Sequence, residues 1–400
     1  MPTFVIAGAS LAGAKAAETL RDEGFDGQIV LLGAEPERPY ERPPLSKGYL
    51  LGNDERDSVY VHPADWYAEH GVDLRLGVTV TGIDRAASAV VTSDDSIVHY
   101  DKLLLTTGAS PRRLNFPGAD RPEVLYLRTT ADSERLRAAF QQGPRVVVAG
   151  AGWIGLETTA AARSYGCPVT VLEPQPGALH EQLGPELGAT FADLHRSNDV
   201  QFRFGERAAE FRPGLVITSA GAEVLADLLV VGIGAAPNDQ LAATAGLEVD
   251  NGVLTDEALR TTDPDIFAAG DLANSFNPLL GRRVRVEHWA NALNGGPAAA
   301  RSMLGQPVVY DPVPYFYSDQ YDLGMECAGL PSPGSYDEVA YRGDRAAGEL
   351  IAFWLAANKV VAGMNVNVWD VNDDIQSLIR SARQVDLSRL TNPDIPLPEV

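Results

Sequence analysis

FVIAGASLAGAKAAETL (residues 4–20) and RVVVAGAGWIGLETTAA (residues 145–161) decide the fold of this chain. Each is a short apolar strand that breaks at a glycine turn and opens a helix. Gly8 and Gly13 frame the first turn, with Ala12 between them, and Gly150, Gly152 and Gly155 frame the second. The first glycine of such a turn lets the chain leave the strand sharply, the next lets main chain approach an anion, and the last lets helix and strand pack closely. A diphosphate then rests on the free N–H groups and positive end of the new helix. Each unit also places an acid at the end of its second strand, Glu35 after QIVLLGA and Glu173 in VTVLE, where a ribose hydroxyl is bound. The first unit carries Ser10 where a second glycine is usual. Two complete units predict an α/β chain that holds two dinucleotides.

Four hundred residues exceed one compact core and predict two or three domains. A net charge of −22 argues against a nucleic-acid partner. No apolar run approaches the roughly 18 residues of a membrane span, and Met1-Pro2-Thr3 enters the first strand without a signal-peptide pattern. A cytoplasmic protein with no membrane partner is expected. The two cysteines, Cys167 and Cys327, are far apart and form no C-x-x-C, which excludes a dithiol reductase and leaves both as small buried residues. No metal site is expected. Residues 281–301 carry Arg282, Arg283, Arg285 and Arg301 against Glu287 alone, a basic rim suited to steering an acidic partner.

Along the chain, a proline-rich loop follows the first unit, then a helix near 62–70 and a meander with turns at Asp84-Arg85 and Ser93-Asp94. The strand LLLTTG ends at Gly108, turning beneath a bound group. A helix within 124–140 is expected to be capped by Thr130 or Asp132. Another helix is expected to start at Asp271. A third region begins near Pro312, with strand-like runs LIAFWLA and MNVNVWDV, a helix near 373–383 and an irregular tail. The expected domains are 1–110 with 242–314, then 111–241, then 315–400.

RPPLSK at 42–47, GWIGLE at 152–157, DIFAAGDLA at 265–273, VEHWANAL at 286–293 and YFYSDQYD at 315–322, in that order, give the chain a nearly end-to-end resemblance. It resembles the FAD-dependent, NADH-linked ferredoxin reductases that serve bacterial cytochrome P450s and ring-hydroxylating dioxygenases. That resemblance implies two Rossmann-like dinucleotide-binding domains of the glutathione-reductase type plus a C-terminal α+β domain. It implies that FAD lies against Gly8, Ala12, Gly13, Glu35, Arg42, Pro43, Val80, Gly108, Arg128, Asp271, Glu287 and Trp289. NADH is implied at Gly150, Gly152, Ile154, Gly155, Glu173 and Gly234. Lys47 is implied near flavin N5, Glu157 at the nicotinamide amide and paired with Lys47, and Trp153 as an aromatic cover over the flavin.

Asp271 is expected to accept a ribityl hydroxyl while its helix points at the flavin pyrimidine carbonyl. Glu173, with no arginine in the following EPQPGALH, favours the free 2′-hydroxyl of NADH over the 2′-phosphate of NADPH. The implied partner is a [2Fe–2S] ferredoxin docking near Arg282, Arg283, Arg285 and Trp289. Rubredoxin and monodehydroascorbate reductases share both nucleotide units and stand as alternatives. An apoptosis-inducing-factor-like binding flavoprotein is a further one, though the acidic net charge speaks against it.

Overall fold

The computed structural model describes all residues, Met1–Val400. The chain divides into two compact units, one of 1–42, 56–110 and 235–314, the other of 43–55, 111–234 and 315–400. No helix is long and apolar enough to cross a membrane.

The first unit is built on a parallel sheet in the order Ile266–Ala268, Lys102–Leu105, Thr3–Ala7, Gln28–Gly33, Val72–Leu76. Its inner strands read as near-continuous apolar runs, as sheets covered on both faces do, while the edge strand Val72–Leu76 carries Asp73 and Arg75. Thr3–Ala7 is central, and the chain leaves it at Gly8 (φ +127°). Gly8 N–H donates to Leu32 O on one side, and Thr106 N–H donates to Ala7 O on the other. The turn therefore sits at the carboxyl end of the strand where the winding of the sheet reverses. Helices Leu11–Asp22 and Trp289–Met303 pack on each other here. The contact is so close that a Cβ on Gly296 would lie 2.2 Å from Ala12 O.

The second unit repeats this plan. Its parallel sheet runs Gln201–Phe204, Val169–Glu173, Val146–Ala149, Leu228–Val231, Val124–Tyr126. Gly150 (φ +101°) donates to Leu172 O, and Gly232 N–H donates to Ala149 O. Residues 315–400 form an antiparallel sheet, Tyr315–Gln320, Leu323–Gly329, Lys359–Val366, Glu349–Ala356, Glu338–Asp344. Leu323, Met325, Cys327 and Trp354 from that sheet enter one apolar core with Leu156, Leu187 and Phe191. This shared core is why the C-terminal region belongs to the second unit. Segment 43–55 joins it too: Leu50 enters the same core, Ser133 Oγ donates to Leu45 O, and Tyr49 Oη donates to Glu134.

Three local expectations are corrected. The helix near 62–70 is a single turn, Trp66–Glu69, because His62 stacks on Trp66 and holds its entry as a turn. The 124–140 helix, Thr130–Phe140, is capped by Thr129 in a capping box with Asp132 at the third position. At Asp271 the chain makes only a short 3₁₀ turn, Gly270–Leu272. It then returns to the extended state, since Ala273–Asn277 pairs with strands on both sides. The tail, 391–400, is irregular except for a short 3₁₀ turn, Leu397–Glu399.

Candidate functional site

In the first unit the Leu11–Asp22 helix begins at Ser10, whose side chain makes no capping bond, and no acid stands in the first turn. Its N-terminal N–H groups are left for an anion. Beside them, the Glu35 carboxylate accepts from Tyr40 Oη at 2.5 Å and Arg42 Nη2 at 2.9 Å. Burial would lower the Arg42 guanidinium, but Tyr40, Glu35 and Asp271 hold it above its ordinary pKa. Arg42 is thus paired with the strand-end acid Glu35 and also feels the charge of Asp271, the acid expected from a different motif. The helix terminus of this region is that of Trp289–Met303, not one at Asp271. Its entry residue His288 is driven down to about pKa 4 by burial, with Asp271 opposing. Asn291 fastens this terminus by donating to Gly270 O and Val286 O. Gly108 (φ +69°) accepts from Asn238 N–H, and Val80 lies in the edge strand Val80–Asp84.

In the second unit the Trp153–Ser164 helix starts at Gly152, again with no side-chain cap and no acid in its first turn. A Cβ on Gly152 would meet nothing within 4 Å, whereas one on Gly155 would lie 2.1 Å from Gly150 O. Gly155 is required by close packing, and Gly152 leaves open space before the free N–H groups. Glu173 is buried; its carboxylate accepts from Ala151 N–H at 2.7 Å and Gln175 N–H at 2.8 Å. It therefore braces the glycine turn as well as ending the strand. Ile154 is 45% exposed and Ile233 37%, giving this turn an apolar rim. Gly234 (φ +89°) accepts from Arg112 N–H. Arg128, expected with the flavin, lies in this unit at the start of the Thr130–Phe140 helix.

The same unit holds a buried ion pair. Pro43–Ser46 is one 3₁₀ turn, which presents Lys47 as the entry of Gly48–Leu51. Lys47 Nζ lies 2.7 Å from Glu157 Oε1. Glu157, 4% exposed, also accepts from Ser318 Oγ at 2.7 Å and from Ser46 Oγ. Asp319 stands in the same field: burial raises its carboxyl pKa, Lys47 opposes this and Glu157 adds to it. The Lys47 ammonium also lies over the Tyr317 ring at 5.5 Å. Trp153 is edge-on to Phe191 and Phe316 at 5.4 and 5.1 Å, so its ring is anchored in an aromatic cluster.

Residues 2–296 match the model of the pyridine nucleotide-disulphide oxidoreductase family, and residues 315–400 match that of the reductase C-terminal domain. The chain belongs to the pyridine nucleotide-disulphide oxidoreductase family. It is 41% identical to the ferredoxin–NAD(+) reductase component of the anthranilate 1,2-dioxygenase system of Burkholderia cepacia, over 98% of each chain. It is 39% identical to rhodocoxin reductase of Rhodococcus erythropolis, over 91% of this chain and 86% of that one. Among solved structures, it superposes on the covalent putidaredoxin reductase–putidaredoxin complex with a TM-score of 0.96 at 34% identity, over 100% of this chain and 97% of that one.

Within this family the chain is of the ferredoxin–NAD(+) reductase type, an oxidoreductase that uses FAD and NADH. The two uncapped, acid-free helix termini and the open space at Gly152 fit two diphosphates. Cys167 and Cys327 are both free and buried, and burial raises both thiols. Neither forms the disulfide of the family's name.

Arg285 differs in its surroundings from the other expected docking residues. Arg285 is largely covered, pairs with Glu287 at 2.5 Å and donates to Asp271 O, so its charge and that of Glu287 are spent on each other. Arg282 and Arg283 are exposed, although Arg283 also donates to Thr255 O. Tyr40, Ser46, His288, Asn291 and Ser318 escaped the sequence reading. Ser46, His288, Asn291 and Ser318 lie inside the quoted motifs, but nothing in their spacing marks them as site residues.

Proposed function

We propose that this chain carries electrons from NADH, through FAD, to a [2Fe–2S] ferredoxin that feeds a cytochrome P450 or a ring-hydroxylating dioxygenase. The observation that carries this reading is the repeated cradle, one uncapped glycine-turn helix in each unit, in a chain whose two thiols are buried and unpaired. Electrons then leave without passing through a protein disulfide. The first cradle, with Glu35, Arg42 and Asp271, is assigned to FAD in residues 1–110 and 242–314. The second, with Gly152 and Glu173, is assigned to NADH in 111–241. Bound flavin supplies an acceptor that takes two electrons together and releases them singly.

The protein's own part is positioning and charge. The Leu11–Asp22 terminus and Arg42 hold a diphosphate and its ribose. The Trp289–Met303 terminus, free of acids in its first turn, offers positive potential to a group that gains electron density. Lys47 brings a fixed ammonium whose counter-charge, Glu157, is shielded from water. Glu157 has already accepted three hydrogen bonds, so a nicotinamide amide would find room only at Oε2. Arg282 and Arg283 are the exposed charges we assign to ferredoxin docking, beside Trp289. A cytoplasmic location agrees with two reduced, buried cysteines.

An NADH-driven cytochrome c reduction assay, with and without ferredoxins encoded near this gene, tests the reading. Reduction should depend strongly on one [2Fe–2S] protein. Equal rates without any ferredoxin would instead favour a reductase of the rubredoxin or monodehydroascorbate type.

A further inference from the structure

A line of buried polar groups leads away from Glu157. Ser318 Oγ lies 2.7 Å from Glu157 Oε1, Gln320 Nε2 lies 3.1 Å from Ser318 Oγ, and Gln320 Oε1 lies 2.8 Å from His195 Nε2. Tyr321 Oη lies 3.1 Å from His195 Nδ1. His195 is 0% exposed, and Ser318 and Gln320 are 1% exposed. Ser318 and Gln320 alternate along the strand Tyr315–Gln320, so both face the same side. His195 comes from the helix Pro185–Ser197.

The direction of every bond follows from one end. A carboxylate can only accept, so Ser318 spends its single proton on Glu157. Ser318 must then accept from Gln320, which places the amide nitrogen toward Ser318 and the amide oxygen toward His195. His195 Nε2 therefore carries the proton. Nδ1 is bare and accepts from Tyr321 Oη. All four donors point toward Glu157, and their dipoles add at its carboxylate.

We infer that Tyr321, His195, Gln320 and Ser318 form a one-way hydrogen-bond array that holds the Glu157 carboxylate aimed at Lys47. These are positioning residues. The amide of Gln320 interrupts any proton relay, so the line orients and does not conduct. Its importance for electron transfer rests on the proposed role of Lys47 and Glu157 beside the flavin; its existence does not. Burial drives His195 down to about pKa 4, in keeping with a neutral ring at the head of the array.

Nitrogen NMR of the histidine-labelled holoenzyme tests the array directly, with His195→Gln to assign one of the six histidines. The wild type should show His195 as a single Nε2–H tautomer. In Glu157→Gln the terminal group can donate as well as accept, so the array loses its fixed direction and a Nδ1–H fraction should appear. Ser318→Ala cuts the same line with a smaller change and should also perturb the His195 signal. A Nδ1–H ring in the wild type, or a His195 signal indifferent to both variants, overturns the inference.

Kinetics add a second arm. Ser318→Ala should slow flavin reduction at saturating NADH about 5-fold, with little change in KM, and cost nothing more in a Glu157→Gln background. Ser318→Thr, which keeps the hydroxyl, should restore the rate. Fully additive losses overturn the positioning role. Should NADH reduce the flavin of Glu157→Gln at the wild-type rate while the tautomer shifts, the array stands and only the assignment of Lys47 and Glu157 to hydride transfer falls.

Discussion

Lys47 Nζ rests 2.7 Å from Glu157 Oε1, and both side chains are shielded, at 15% and 3% exposure. Removing one member of such a pair strands a charge in a poor solvent. Lys47→Ala should therefore cost about 3 kcal/mol of stability, as well as slowing flavin reduction by NADH. The double variant Lys47→Met, Glu157→Gln should recover most of the stability without the rate. Denaturant titration and stopped-flow reduction separate the two effects. If the single variant keeps wild-type stability, the pair is not truly desolvated.

Glu173 poses a different problem, because its carboxylate braces Ala151 and Gln175 N–H groups while standing where a ribose is bound. Glu173→Gln retains one accepting oxygen for the turn but removes the charge. It should raise KM for NADH about 10-fold with kcat little changed, and narrow the preference over NADPH. Steady-state assays with both nucleotides decide the matter; unchanged selectivity removes the argument from ribose charge.

The basic rim separates by partner. Arg282 is exposed, whereas Arg285 is tied to Glu287 and Asp271 O. Arg282→Glu should raise KM for the ferredoxin and flatten its dependence on ionic strength. Arg285→Glu should instead lower the melting temperature and loosen FAD. A ferredoxin KM that ignores Arg282→Glu across salt concentrations would leave that rim without a docking role.

Acid should destabilise the fold through its buried histidines. His195 and His288 have pKa values of about 4 in the folded chain against 6.5 ordinarily. Between those values the unfolded chain binds more protons, so stability is complete above about pH 6.5 and falls as pH drops toward 4. Each group contributes up to about 1.4 kcal/mol per pH unit, less for the more open His288. Denaturation midpoints from pH 7 to pH 4.5 should show this slope, and His195→Gln should flatten it. A midpoint constant over that range contradicts the buried neutral rings.

What the sequence made legible were features set by local backbone geometry. Gly8 and Gly150 announce their turns because no other residue suits those dihedral angles, and the strand-end acids follow at fixed spacing. The capping residue is not legible: the sequence offers Thr130 or Asp132, and only the reciprocal bonds between Thr129 and Asp132 single out Thr129. Asp271 reads like a helix start, yet strand pairing beyond it overrides that local preference. The array from His195 to Glu157 joins a helix to a strand more than a hundred residues later, and no spacing rule reaches that far. The pairing of Arg285 is not legible in the sequence, because its partner, Glu287, sits only two places away, just past the strand, and could equally point to solvent.

The apolar core that residues 315–400 share with Leu156, Leu187 and Phe191 has a consequence for building chimeras. Exchanging the C-terminal region between relatives to change their electron acceptor would graft Leu323, Met325 and Trp354 onto a foreign interior, and transplant Ser318 and Gln320 away from their own His195. A viable hybrid would have to carry 43–55 and 111–234 along with the tail and leave 235–314 in place. Whatever the tail contributes to the choice of acceptor is then inherited together with the pocket for the reductant, as a single cassette.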